Sequence, residues 1–138
     1  MIKAGTFANL LKLHDLNLGH NQIEMIQEDL FQNLPGLQKL DLSNNQLTMI
    51  QTRTFHNLPQ LFRLKLEGNQ INYNAFNNLP KLQILDLRSN QMSAIIPSAF
   101  YLLPSLRTIK LEDNPWWAFS SAVSGIIVIS GAIFLAVW

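Results

Sequence analysis

The sequence predicts an α/β solenoid, one small strand-bearing unit stacked along an axis, and three recurrences predict it. Asn21, Asn45, Asn69, Asn90 and Asn114 each end the phrase Leu-x-x-(Leu/Ile)-x-Leu-x-x-Asn. Each phrase opens with alternating apolar and polar residues, as in Leu37-Gln38-Lys39-Leu40-Asp41-Leu42. Phe31, Phe55, Phe76 and Phe100 then recur, each three residues before a Leu-Pro pair. A unit of about 20 to 29 residues cannot bury its apolar face alone, so neighbouring units supply the core and the exposed face becomes continuous.

Aligned on the first Leu, the units run 13–36, 37–60, 61–81 and 82–105, with a fifth opening at Leu106 and partial units at both ends. The opening alternation has the period of a short strand with one buried face. Leu40 and Leu42 therefore point inward, while Lys39, Asp41 and Ser43 point outward. The Asn falls where the chain leaves the strand, and its short amide bonds neighbouring backbone and tolerates unusual dihedrals. An aliphatic pair follows, such as Ile23 and Ile26 or Leu47 and Ile50. The Phe rings, at corresponding positions, should stack into a spine. Pro35, Pro59, Pro80 and Pro104 favour an extended return to the next strand.

The full phrase, Leu-x-x-Leu-x-Leu-x-x-Asn-x-Leu-x-x-Ile-x-x-x-x-Phe-x-x-Leu-Pro, resembles the 24-residue "typical" subtype of leucine-rich repeat found in extracellular proteins, and the match covers residues 2 to about 116. The resemblance implies a right-handed solenoid with a short-strand parallel sheet on its concave face and irregular coil or short helical turns outside. It also implies a role in binding a protein or other large ligand.

Departures from the pattern lie at both ends and in the middle. Ile2, Phe7 and Leu10 fall where Ile26, Phe31 and Leu34 fall one unit later, so the chain opens in mid-repeat without a first strand. That predicts a fragment or an incomplete gene model, with an open first coil available for self-association. Asn114-Pro115-Trp116 resembles the start of the family's C-terminal cysteine cap, yet the sequence has no cysteine. A disulfide-closed cap is excluded. The unit at 61–81 is three residues short, and Tyr73 is expected to cover part of the missing aliphatic position there.

Residues 116–138 carry no charge and are rich in Ile, Val, Ala and Phe, with Trp116, Trp117 and Trp138 at the two ends. As a helix this segment would span about 34 Å, against a hydrocarbon core of about 30 Å, and indole rings favour the water–lipid interface. The expectation is a C-terminal apolar helix that contacts a membrane and holds the protein at the cell surface. The competing expectation is a soluble structural or matrix scaffold, extracellular or secreted, whose tail caps the solenoid or drives self-association.

Stacking the outward positions gives columns on the predicted sheet. One reads Asn17, Asp41, Lys65, Asp86, Lys110; a second Asp15, Lys39, Arg63, Ile84, Thr108; a third Gly19, Ser43, Glu67, Arg88, Glu112. Strands about 4.8 Å apart place the alternating charges from Asp41 to Lys110 within ion-pair reach. Lys39, Asp41, Arg63, Lys65, Asp86, Arg88 and Lys110 are the candidate ligand-binding residues, with Phe62 and Ile84 as apolar anchors. Arg63, Lys65, Asp86 and Arg88 are expected to matter most.

Other chemistries find little support. His14, His20 and His56 are the only histidines and fall on a strand, a turn and a loop. No catalytic constellation, metal spacing or phosphate-cradling loop is present, so no enzyme activity, cofactor or metal is expected. A formal charge of +1 with no basic stripe argues against a nucleic-acid partner. No Asn-x-Ser/Thr sequon occurs.

Overall fold

The computed structural model describes residues 1–74, 76, 79–93, 103–115, 126–129 and 132–135. Its strands are β1 (Asp15–Asn17), β2 (Lys39–Asp41), β3 (Met49–Ile50), β4 (Arg63–Lys65), β5 (Tyr73–Asn74), β6 (Ile84–Asp86), β7 (Thr108–Lys110), β8 (Ile126–Ile129) and β9 (Ala132–Leu135). β1, β2, β4, β6 and β7 pair side by side and all parallel, with Leu16, Leu40, Leu64, Leu85 and Ile109 in one register row. The parallel-sheet solenoid read from the repeat is present. β3 and β5 form a second, two-stranded parallel sheet.

The strands are short because the sequence ends them quickly. The third strand residue often accepts a hydrogen bond from the backbone N–H two positions on: Gly19 to Asn17 Oδ1 at 2.8 Å, Ser43 to Asp41 Oδ1 at 2.9 Å and Arg88 to Asp86 Oδ1 at 3.2 Å. The residue before each ladder Asn then takes positive φ, at His20, Asn44, Gly68, Ser89 and Asp113. Four of these five are not glycine, so Gly68 has a further reason. A Cβ there would collide with the Asn44 side-chain oxygen of the preceding unit.

The ladder Asn amides tie each unit to the one before. Asn69 Nδ2 donates to Leu42 O and Leu66 O, both at 3.0 Å, while its Oδ1 accepts the Leu47 N–H at 3.0 Å. Asn45 does the same with Leu18 O, Leu42 O and the Ile23 N–H, and Asn90 with Leu66 O, Leu87 O and the Ile71 N–H. Asn114 repeats the pattern with Leu87 O, Leu111 O and the Met92 N–H. Asn21, on the first strand-bearing unit, is exposed and donates only within its own turn, to Leu18 O and Gly19 O.

Behind the ladder, Leu40, Leu42, Leu64, Leu66, Leu85 and Leu87 are buried. Leu16 and Leu18, in the first strand-bearing unit, are half-buried. The ring spine forms from Phe7, Phe31, Phe55 and Phe76, with centroids 6.2, 5.9 and 6.4 Å apart and near-parallel planes. Phe100 lies outside the described residues.

The described residues contain no helix. The returning halves make single turns, such as Leu30 N–H to Gln27 O at 3.1 Å and Thr54 N–H to Gln51 O at 3.0 Å. They stop there because Asn9, Asn33 and Asn57 take positive φ ahead of the next strand. One turn is too short to propagate a helix.

The shortened unit keeps full register up to its second half. Tyr73 pairs with Met49 and Asn74 with the buried Ile50, so the three missing residues fall between Asn74 and Phe76. The Tyr73 side chain lies outside the described residues. Its register partner, Met49, is exposed rather than buried, so the aliphatic position corresponds to Asn74 instead.

The expected apolar helix over 116–138 requires correction where the tail is described. β8 and β9 are antiparallel strands, and β9 pairs antiparallel with β7 through Thr108–Phe134, Ile109–Ile133 and Lys110–Ala132. Ile126-Ile127-Val128-Ile129 is β-branched throughout, a composition that favours strand over helix. No helix among the described residues is long and apolar enough to cross a membrane. The remainder of the predicted segment lies outside the described residues.

An interior rung should matter far more than an end one. Asn69→Ala leaves buried carbonyls and an N–H without partners and should cost about 3 kcal/mol, whereas Asn21→Ala should cost less than about 1 kcal/mol. Urea unfolding of the two variants checks the difference.

Candidate functional site: the outward face of the sheet

The sheet register turns the outward positions into columns. Asp15, Lys39, Arg63, Ile84 and Thr108 are successive register partners, as are Asn17, Asp41, Lys65, Asp86 and Lys110. Six of the seven candidate binding residues therefore lie on one face of one sheet, and Arg88 follows two residues after the end of β6.

Their charges do not pair as a simple ladder. Arg88 Nε donates to Asp86 Oδ1 at 2.9 Å and Arg88 Nη2 to Asp86 Oδ2 at 2.6 Å, a bidentate grip on a carboxylate that is almost fully buried. With Asp86 engaged, Lys65 Nζ lies 3.8 Å from Asp41 Oδ2 and 3.8 Å from Glu67 Oε1. Glu67 Oε2 in turn lies 3.0 Å from Arg88 Nη2. The result is one connected network, Asp41–Lys65–Glu67–Arg88–Asp86. The Asp86 hydrogen bonds raise the Arg88 pKa above its ordinary value; burial opposes the rise, and Asp86, Glu67 and Glu112 charges add to it. Arg88 therefore stays protonated under all ordinary conditions.

Asp41 also accepts the Ser43 hydroxyl at 2.5 Å besides the Ser43 N–H. Asp41 and Asp86 thus terminate their strands and hold the network together. Both are less available to a ligand than their outward register suggests. Lys110 is half-buried and has no ion-pair partner among the described residues, so the alternating ladder stops short of it. Glu112 places a buried Oε2 near this end that has no hydrogen-bond partner.

Lys39 and Arg63 stand apart. Both are exposed, they are register partners, and neither forms an ion pair with a described residue. Lys39 Nζ lies 5.8 Å from the centroid of the Phe62 ring. Phe62 and Ile84 are half-buried beside this pair.

Sequence reasoning missed Glu67 as the link between Lys65 and Arg88. The spacing contained the signal, since strand residues two apart share a face and Glu67 follows Lys65 by two. The same spacing joins Asp86 to Arg88. Elsewhere, a flank groove of about 510 Å³ lined by Met25, Ile26, Met49 and Thr54 has Glu24 as its one ionisable side chain. Among the described residues, no group of three or more His, Asp or Glu could hold a metal.

Comparisons place these features in a wider group. The sequence profile described as leucine rich repeat matches residues 1–47, 11–71 and 72–115. Three solved structures are similar. The first is TLR13, in a complex with ssRNA13, at 29% identity and TM-score 0.74 over 83% of this chain and 16% of that one. A leucine-rich-repeat protein of Leptospira interrogans matches at 34% identity and TM-score 0.62, covering 75% of this chain and 26% of its own. A chain of the LRIM1/APL1C complex matches at 26% identity and TM-score 0.57, covering 81% and 24%. The chain thus spans about a quarter or less of the length of these neighbours. No curated protein matches it.

The Arg88–Asp86 and Lys65–Asp41 ion pairs should differ measurably. A double-mutant cycle on Asp86 and Arg88 should give a coupling of about 1 to 2 kcal/mol, because the carboxylate is buried and held bidentately. The cycle on Asp41 and Lys65 should give less than about 0.5 kcal/mol, and that small term should vanish near 1 M salt. Urea unfolding at low and high salt measures both.

Proposed function

Because the chain belongs to the leucine-rich-repeat family, we propose that it is a binding module that recognises a macromolecule, foremost a protein, on the concave, outward face of its sheet. The observation that carries this reading is the aligned outward register. Charged and apolar side chains from five parallel strands share one surface. Lys39, Asp41, Arg63, Lys65, Asp86, Arg88 and Lys110 are the proposed contact set, with Arg63 and Lys39 the most accessible. The spacing of 24 residues, broken once by a unit of 21, supports the typical subtype and with it a surface or secreted protein.

Two of the similar structures are complexes, TLR13 with ssRNA13 and LRIM1 with APL1C. Acidic and basic side chains alternate across this sheet, which favours a protein over a nucleic acid. In this reading residues 1–115 form the solenoid and 116–138 a separate tail. A capping role for the tail is supported by one observation, the pairing of β9 with β7 at the end of the sheet. Such a strand would cover backbone groups that the last solenoid strand otherwise leaves open.

A photo-crosslinking residue placed at Ile84, on the outward face, should join the protein to one reproducible macromolecular partner in an extract of its source. The same residue at Gln51, on an exposed returning loop, should not. Equal yields from both positions would sink the concave-face assignment.

A further inference from the structure

We infer that the Lys39–Phe62–Arg63–Ile84 cluster is a docking site for an acidic polypeptide segment carrying an apolar side chain. The inference rests on the proposed use of this sheet face and names the partner chemistry. Its first support is a register that the fold does not need. Lys39 and Arg63 are direct cross-strand partners, an arrangement of like charges that opposes folding. Elsewhere the central outward column alternates in sign, as Asp41–Lys65–Asp86–Lys110 shows.

The second support is what surrounds the two cations. Lys65 and Arg88 are already neutralised by Asp41, Glu67 and Asp86, whereas Lys39 and Arg63 have no ion pair among the described residues. Phe62 lies under the Lys39 ammonium, and Ile84 is the next register partner of Arg63. Two accessible cations set against two half-exposed apolar side chains match the composition of an interface centre. The cations lie on adjacent strands about 4.8 Å apart, a spacing that one or two carboxylates can bridge.

The boundaries of the patch select the class of anion. Asp15 is the register partner of Lys39 on the other side, and Asp41 follows Lys39 by two residues on the same face. The positive region is therefore bounded by Asp15 and Asp41 beside Lys39 and by the apolar Ile84 beside Arg63. A phosphodiester strand, charged at every nucleotide, would meet Asp15 and Asp41 where it passed Lys39, whereas a short acidic stretch of polypeptide needs only the two cations and the apolar side chains beside them. Phe62 and Ile84 then receive the segment's apolar side chain.

The test is an NMR titration of the full chain, isotopically labelled, with a synthetic peptide containing Glu-Leu-Glu, its Gln-Leu-Gln counterpart, and oligouridylate. The expected result is a set of amide shifts centred on Lys39, Phe62, Arg63 and Ile84 with the Glu peptide alone. The double variant K39Q/R63Q, which removes the like-charge pair and so keeps the fold, should weaken binding about fivefold or more. K3Q/K12Q, which makes the same charge change away from the patch, should not. Shifts centred elsewhere, unchanged binding by K39Q/R63Q, an absence of shifts with the Glu peptide, or equal shifts with oligouridylate would each overturn the inference. Failure of the wider concave-face reading has a separate signature, which is loss of the Ile84 crosslink. That crosslink can persist when the acidic peptide fails.

Discussion

The side-chain amide of the ladder asparagine is the constraint on which the rest of the structure depends. Strands of three residues make few hydrogen bonds, and each must be left by a sharp turn that strands backbone groups inside the stack. At Asn45, Asn69, Asn90 and Asn114 one amide satisfies a carbonyl of its own unit just past the strand, a carbonyl of the preceding unit and an N–H of that unit. No other side chain of this size offers two donors and an acceptor in one plane. Once successive units are locked at this point, the sheet register and the inward Leu columns follow from the same spacing. The shortened unit demonstrates the dependence. Its lost residues fall beyond Asn74, on the far side from the rung, and both the Asn90 bonds and the stacking of Phe76 on Phe55 survive.

The same register determines the chemistry of the outward face. An Asp at the third strand position is already committed to closing its own turn, and Asp86 is further gripped by Arg88. Charge on this surface is thus divided between a self-neutralised network in the middle units and the accessible Lys39–Arg63 pair beside it. A binding face that spends most of its ions internally is rigid where it is paired, and selective where it is not.

The solenoid was legible from residues alone because periodicity reports burial directly. Leu40 and Leu42, the Asn rungs and the Phe spine occupy the places their spacing predicts. Which charges meet was less legible, since a column identifies neighbours but not rotamers; the bidentate geometry open to Arg88 within its own strand displaced the cross-strand partner expected for Asp86. The second column of positive-φ asparagines, Asn9, Asn33 and Asn57, is visible in the sequence only as a repeated Asn before Leu. The described part of the tail was less legible for a different reason. Hydropathy and length describe a membrane helix and a pair of apolar strands equally well, and the β-branched run at 126–129 was the discriminating signal.

Native-state hydrogen exchange on the amides of Leu47 and Ile71 tests the central role of the ladder most directly. Each N–H is bonded to a side-chain oxygen, of Asn69 and Asn90 respectively, and to no strand partner. If the ladder locks the stack, both amides exchange only through the same global opening as the sheet amide of Leu66, with equal free energies. Exchange of Leu47 and Ile71 at near-unprotected rates while Leu66 remains protected would contradict the account, because the sheet would then stand without its rungs.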